Sequence, residues 1–123
     1  MQHRILMVDD NQDLLQITKL ILSTQGFEVF SATGLDEARQ LLLTHPPDLL
    51  LLDVNICDED GAGFCTELKG NAHTASLPVV LMSGDDLKKD CCKEADAFLV
   101  KPFDMMELVR QVKVLLPQRK AVA

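Results

Sequence analysis

His45-Pro46-Pro47-Asp48-Leu49-Leu50-Leu51-Leu52-Asp53 is the stretch on which the fold turns. The run Leu49 to Leu52 is apolar enough for a buried helix or a buried strand, and hydrophobicity alone does not separate them. Its shortness, the proline pair before it and the acid after it decide for a strand. The prolines also close whatever helix precedes them, because no helix continues through such a pair. A strand that is apolar at every position is buried on both faces.

Working outward, the chain repeats this theme. Upstream, Ile5–Val8 is another continuous apolar run, ended by Asp9-Asp10. Leu14, Ile17, Ile21 and Leu22 then form a helical stripe that stops at Gln25-Gly26, with Gly26 suited to a helix C-terminus. Phe27–Ser31 reads as a more polar strand, and Leu35, Ala38, Leu41 and Leu42 form a second helical stripe. Downstream, Asp53–Gly61 is an acidic loop, followed by a helix around Phe64–Lys69 and a loop of small and polar residues from Gly70 to Ser76. Leu77–Met82 is strand-like, with Pro78 near its first position, where a missing N–H matters least. A short polar helix over about Leu87 to Lys93 and a last strand, Ala97–Val100, come next. After Lys101-Pro102-Phe103, Asp104 caps a final helix with the stripe Leu108, Val109, Val112, Leu115 and Leu116.

Five strands alternating with five helices predict an α/β fold. Its sheet is parallel, doubly wound through right-handed crossovers, with helices on both faces. The 123 residues suffice for one core without disulfide or metal staples, and 47% apolar with 25% charged residues excludes a disordered chain. A net charge of −7 argues against a nucleic-acid footprint and against a polybasic membrane surface. Cys57, Cys65, Cys91 and Cys92 show no zinc-type spacing, and the start of the chain has no secretory pattern. They read as reduced, buried or incidental thiols of a cytoplasmic protein rather than redox sensors. His3, His45 and His73 read as surface residues.

Ligands of such sheets bind outside the carboxyl ends of the strands. Strand one ends in Asp9-Asp10, strand three in Asp53, strand four in Ser83 and strand five in Lys101. Parallel strands bring all of them to one edge. Three carboxylates converging there need a cation, and hard oxygen donors from carboxylates, a loop carbonyl and water suit Mg²⁺. An ammonium and a hydroxyl beside them suit an anion, with a phosphoryl group the obvious one.

These residues in this order resemble the receiver domain of two-component response regulators, end to end. The matching pattern is Asp9-Asp10, Asp53, Asp60-Gly61, Ser83 and Lys101-Pro102. The resemblance implies a flavodoxin-like sheet in the order 2-1-3-4-5. It places a receiver domain over 1–117 and a tail or start of a linker over 118–123. It also implies that Asp53 accepts a phosphoryl group from a phosphohistidine of a sensor histidine kinase or histidine phosphotransfer protein. Mg²⁺ (or Mn²⁺) would be held by Asp10, Asp53 and the backbone carbonyl of Asn55, with Asp9 acting through a water. Lys101 and Ser83 would contact the phosphoryl group, Phe98 would rotate as a switch, and the Lys101-Pro102 bond would be cis. On the residues alone, plainer roles stay open. Asp9 or Asp10 could cap the first helix, Ser83 could be a turn residue, Lys101 a solvated lysine and Phe98 plain core.

Three features depart from the family pattern. Cys57 stands where the family often has Pro, which leaves a freer loop carrying the extra acids Asp58 and Glu59. The stretch from Ser83 to Phe98 is about one helical turn (~3.6 residues) short, so the fourth helix is clipped or partly unwound and the output surface altered. Third, Arg119-Lys120-Ala121 reads like the start of a linker, which favours a piece of a larger regulator or hybrid kinase over a stand-alone receiver. A flavodoxin-type electron carrier would need a hydroxyl- and Gly-rich loop after strand one and flavin-stacking aromatics, whereas the loop is Asp9-Asp10-Asn11-Gln12-Asp13 and Trp and Tyr are absent. A haloacid-dehalogenase-type phosphatase wants Asp where Asn55 stands. A degenerate, phosphate-blind docking receiver is the remaining alternative.

Overall fold

In the computed structural model, which describes residues 2–85, 88 and 90–116, β1 (Arg4–Val8) is an inner strand of the sheet. It pairs in parallel with β2 (Glu28–Ala32) and β3 (Leu49–Asp53). Two further parallel strands, β6 (Val79–Ser83) and β7 (Ala97–Val100), extend the sheet beyond β3. The order is β2-β1-β3-β6-β7, and the small hairpin β4 (Asn55–Ile56) and β5 (Glu59–Asp60) stands outside it. With that hairpin set aside, this is the 2-1-3-4-5 order.

Successive side chains of a strand point to opposite faces, so continuous apolar runs feed two cores at once. On one face Ile5, Met7, Leu49, Leu51, Val80 and Met82 pack under α1 (Gln12–Thr24) and α4 (Met105–Leu115). On the other, Leu6, Val8, Leu50, Leu52 and Leu81 pack under α2 (Leu35–Thr44) and α3 (Gly61–Lys69). All four leucines of the deciding stretch are fully buried. Each contributes roughly 1.5–3 kcal/mol relative to exposure.

The helix starts follow local chemistry. Asn11, not Asp9 or Asp10, caps α1, with its side chain accepting the Leu14 N–H; Asp60 does the same for Gly63 and Asp104 for Met106. The α2 cap, Gly34, has no side chain, and Glu59 of β5 supplies an acceptor to the Leu35 N–H from across the loop (3.3 Å).

The structure corrects four expectations. The stripe of α1 is Leu15, Thr18 and Leu22, with Ile17 turned to solvent. Six apolar residues between Leu14 and Leu22 allow several stripes, and packing on the sheet selects one. The loop after β3 holds a two-residue hairpin. The expected helix over Leu87–Lys93 falls partly outside the described residues. The described residues on and around it carry three i→i+3 bonds (Lys88 to Asp85, Cys91 to Lys88, Ala95 to Cys92) instead of an α-helical ladder. Four α-helices, rather than five, therefore flank the sheet among the described residues. His3 is half-buried beside Asp48 rather than on the surface. No helix of the described residues is long and apolar enough to cross a membrane. The tail 118–123 lies outside the described residues.

Candidate functional site

The site gathers at one edge because four parallel strands, β1, β3, β6 and β7, end there. Asp9 and Asp10 follow β1, Asp53 closes β3 opposite Met82, and Ser83 is the next residue of β6. Ser83 in turn pairs with Val100, the residue before Lys101. The Lys101 N–H donates to the Ser83 carbonyl (2.7 Å), and the Lys101-Pro102 bond is cis.

Lys101 bridges two of the carboxylates. Its Nζ donates to Asp9 Oδ2 at 2.6 Å and to Asp53 Oδ2 at 3.0 Å. Asp9 is fully buried and Asp53 is 7% exposed. One oxygen from each of Asp9, Asp10 and Asp53 lies within 4.8 Å of the others. Such a hard oxygen set with one ammonium still leaves two negative charges, so the residues fit a divalent cation of the Mg²⁺ class. Burial pushes the Asp53 carboxyl above its ordinary range, and the Asp9 charge adds to this, while the Lys101 hydrogen bond pulls it down. For Lys101, burial opposes the charged form, but the bonds to Asp9 and Asp53 outweigh it and raise the ammonium.

Three further carboxylate oxygens are held by backbone. Asp9 Oδ1 accepts the Asn11 N–H (2.9 Å), Asp53 Oδ1 the Asn55 N–H (3.3 Å) and Asp10 Oδ2 the Cys57 N–H (3.0 Å). The Ser83 hydroxyl accepts the Asp85 N–H (3.0 Å). Phe98 is half-buried against the core on the α2–α3 face and borders a cavity of about 340 Å³. It therefore sits beside that core and open space together, three residues along the chain from Lys101.

Sequence reading did not find the Cys57 amide. Cys57 (φ +49°) and Asp58 (φ +65°) both adopt left-handed backbone, which makes a tight turn between β4 and β5. Proline cannot take that φ and has no N–H to give Asp10. The one available signal was the missing proline itself. Gly61 ends the detour: a Cβ there would lie 1.9 Å from the Asp53 carbonyl oxygen, so only glycine lets α3 start so close to β3.

Comparison with known proteins agrees with this geometry. The profile of the response regulator receiver domain matches residues 5–113. The chain is 34% identical over 116 residues to the transcriptional regulatory protein GltR of Pseudomonas aeruginosa, covering 91% of this chain and 48% of that protein. It is 38% identical over 124 residues to the transcriptional regulatory protein PrrA of Mycobacterium leprae, covering 98% and 52% respectively. The chain thus spans about half the length of the curated relatives it matches. Among solved structures, the chemotaxis response regulator CheY4 of Vibrio cholerae superimposes with a TM-score of 0.86 at 25% identity, covering 94% of this chain and 100% of that one. On its strand order, its acidic edge and its sequence, this chain belongs to the response regulator receiver domain family of two-component signalling.

Proposed function

We propose that Asp53 is the phosphoacceptor of this receiver and that the partner delivering the phosphoryl group is a sensor histidine kinase or a histidine phosphotransfer protein. The observation that carries the reading is the Asp53 carboxylate at the mouth of the sheet edge, paired with Lys101 and within reach of two further acids.

An Asp53 oxygen attacks phosphorus, the P–N bond to the donor imidazole breaks, and that ring, already protonated on its other nitrogen, leaves as neutral imidazole. Lys101 partly offsets the cost of burying the ionised Asp53 and offers its ammonium to the phosphoryl oxygens. The Ser83 hydroxyl, kept in place by the Asp85 amide, turns to donate to the same oxygens, and Phe98 follows it inward as the switch. Asp10, Asp53 and the Asn55 carbonyl would hold Mg²⁺ (or Mn²⁺), with Asp9 acting through a water. That cation, when bound, supplies charge neutralisation for the transferring group. The chain assists its own phosphorylation and dephosphorylation but acts as a signalling domain, not as a turnover enzyme. Its place is the cytoplasm. An effector segment in a longer chain fits the transcriptional regulators it matches, and a domain of net charge −7 is not itself the DNA-binding surface.

Incubation with Mg²⁺ and a small acyl phosphate, followed by intact-mass measurement, tests this. Wild type is expected to gain one phosphoryl group and Asp53→Asn none. Equal uptake by both would reassign the acceptor, and no uptake by either would favour a docking receiver that has lost the reaction.

A further inference from the structure

Two of the four cysteines lie away from the acidic edge, and they touch each other. Cys65 faces inward from α3 with no exposed surface, and Cys92, in the turns ahead of β7, is 4% exposed; their sulfurs are 3.1 Å apart. We propose that Cys65 and Cys92 form a reversible dithiol–disulfide site, oxidised by hydroperoxides, that cross-links α3 to the segment between β6 and β7. This replaces the reading of these two residues as incidental thiols and does not depend on the assignment of Asp53.

Geometry supports the bond. A disulfide needs sulfurs at about 2.05 Å, so the pair must close by about 1 Å. Cys65 is fixed within a helix, but Cys92 belongs to neither helix nor strand. It sits where the expected fourth helix has given way to single i→i+3 turns, a backbone able to supply that movement. The link, from residue 65 to residue 92, would add a covalent tie between two elements that already meet through the Lys69–Asp96 ion pair (2.9 Å) and the Thr66 hydroxyl donating to Cys92 Sγ (3.5 Å).

Access and proton flow support it as well. Cys92 borders the cavity of about 340 Å³ shared with Asp90, Lys93, Ala95 and Phe98, which admits a small peroxide. Cys65 has no exposed surface and does not line that cavity, so it lies behind Cys92. Cys92 is then the sulfur oxidised first and Cys65 the one that resolves it. The Glu94 carboxylate, 3.5 Å from Cys92 Sγ, is placed to take the Cys92 proton. The Cys92 sulfur attacks the terminal, hydrogen-bearing oxygen of the hydroperoxide and the O–O bond breaks. An alcohol leaves (water, for hydrogen peroxide), and Cys92 becomes a sulfenic acid. The Cys65 sulfur then attacks the Cys92 sulfur, the S–O bond breaks, and hydroxide departs as water with the Cys65 proton. The two thiols lose two electrons and two protons in all, and one hydroperoxide is reduced.

The experiment exposes the reduced full chain to hydrogen peroxide, blocks remaining thiols with a maleimide and maps non-reduced proteolytic peptides by mass. The expected product is a peptide linking residue 65 to residue 92, lost on adding dithiothreitol. Cys91 and Cys92 share a tryptic peptide, so the same mapping on Cys91→Ser fixes which sulfur is linked, and the link should persist there and in Cys57→Ser. Amide exchange over residues 90–95 should slow at least tenfold in the oxidised form. A vicinal Cys91–Cys92 bond, a dimer through exposed cysteines, or a Cys65 that remains open to the maleimide after denaturation would each overturn the proposal. The natural chain decides the question even if Cys65→Ala or Cys92→Ala folds poorly.

Discussion

At the scale of single residues, the acidic edge is a place where charge is kept against its own cost. Asp53 has its carboxyl raised by burial and by the Asp9 charge, so the ionised form is less favourable folded than unfolded. For an acid raised in this way, protonation favours the native state. The cost is fully present above the folded value and is relieved as pH falls through it toward the unfolded 3.8. In metal-free buffer Asp53→Asn should therefore be more stable than wild type near neutral pH, and the gap should narrow as the pH is lowered through the Asp53 value. Urea unfolding at a series of pH values checks this, and a gap that widens on acidification contradicts it. Cys57 offers a second residue-scale test. Its φ of +49° suits glycine, so Cys57→Gly should stabilise by about 1 kcal/mol or leave stability unchanged. Cys57→Pro, which matches the common family residue, should instead destabilise by roughly 3 kcal/mol, because neither the angle nor the amide to Asp10 survives. Chemical denaturation of both variants separates the two signs.

At the scale of elements, the strands were legible and the surfaces between them less so. Leu49–Leu52 and Ile5–Val8 announce buried parallel strands because every position is apolar and an acid ends each run. Asp9, Asp10, Asp53, Ser83 and Lys101 became a cluster in sequence reading only through that inference of parallel strands, and the structure brings them to one edge. The hairpin at 55–60 was hidden, since its turn rests on two non-glycine residues with positive φ, which no composition rule signals. The stripe of α1 was misread for a related reason. Thr18, a polar residue, takes a core position that Ile17 was expected to hold. Its hydroxyl is fully buried and has no hydrogen-bond partner among the described residues. Thr18→Val keeps the shape and removes the desolvated hydroxyl, so it should stabilise by about 1 kcal/mol. A drop in urea midpoint would show that the hydroxyl is satisfied in solution.

For the whole molecule, the net charge of −7 is distributed unevenly, with Asp9, Asp10, Asp53, Asp58, Glu59 and Asp60 gathered at one end. A divalent ion bound there only in the native state stabilises by mass action, about 2.7 kcal/mol at a hundredfold excess over Kd. Addition of Mg²⁺ should raise Tm by several degrees in wild type, and Asp10→Asn should lose most of that rise while keeping its fold. Calorimetry is the suitable readout because Trp and Tyr are absent. An equal rise in Asp10→Asn would place the ion elsewhere.

The bridge from Lys101 to Asp9 joins residues 92 positions apart, and it bears on how the chain is made. A ribosome releases the acids of β1 and β3 long before it releases the lysine that follows β7. Until that lysine arrives, burying Asp9 would mean leaving its charge without an ammonium partner or protonating it, and either costs free energy. The nascent chain can collect its leucines early, but closing around Asp9 carries that cost until the last strand is laid down. Completion of the fold and completion of the reactive centre are then one event, so a truncated or half-made chain exposes its acids without presenting a working site.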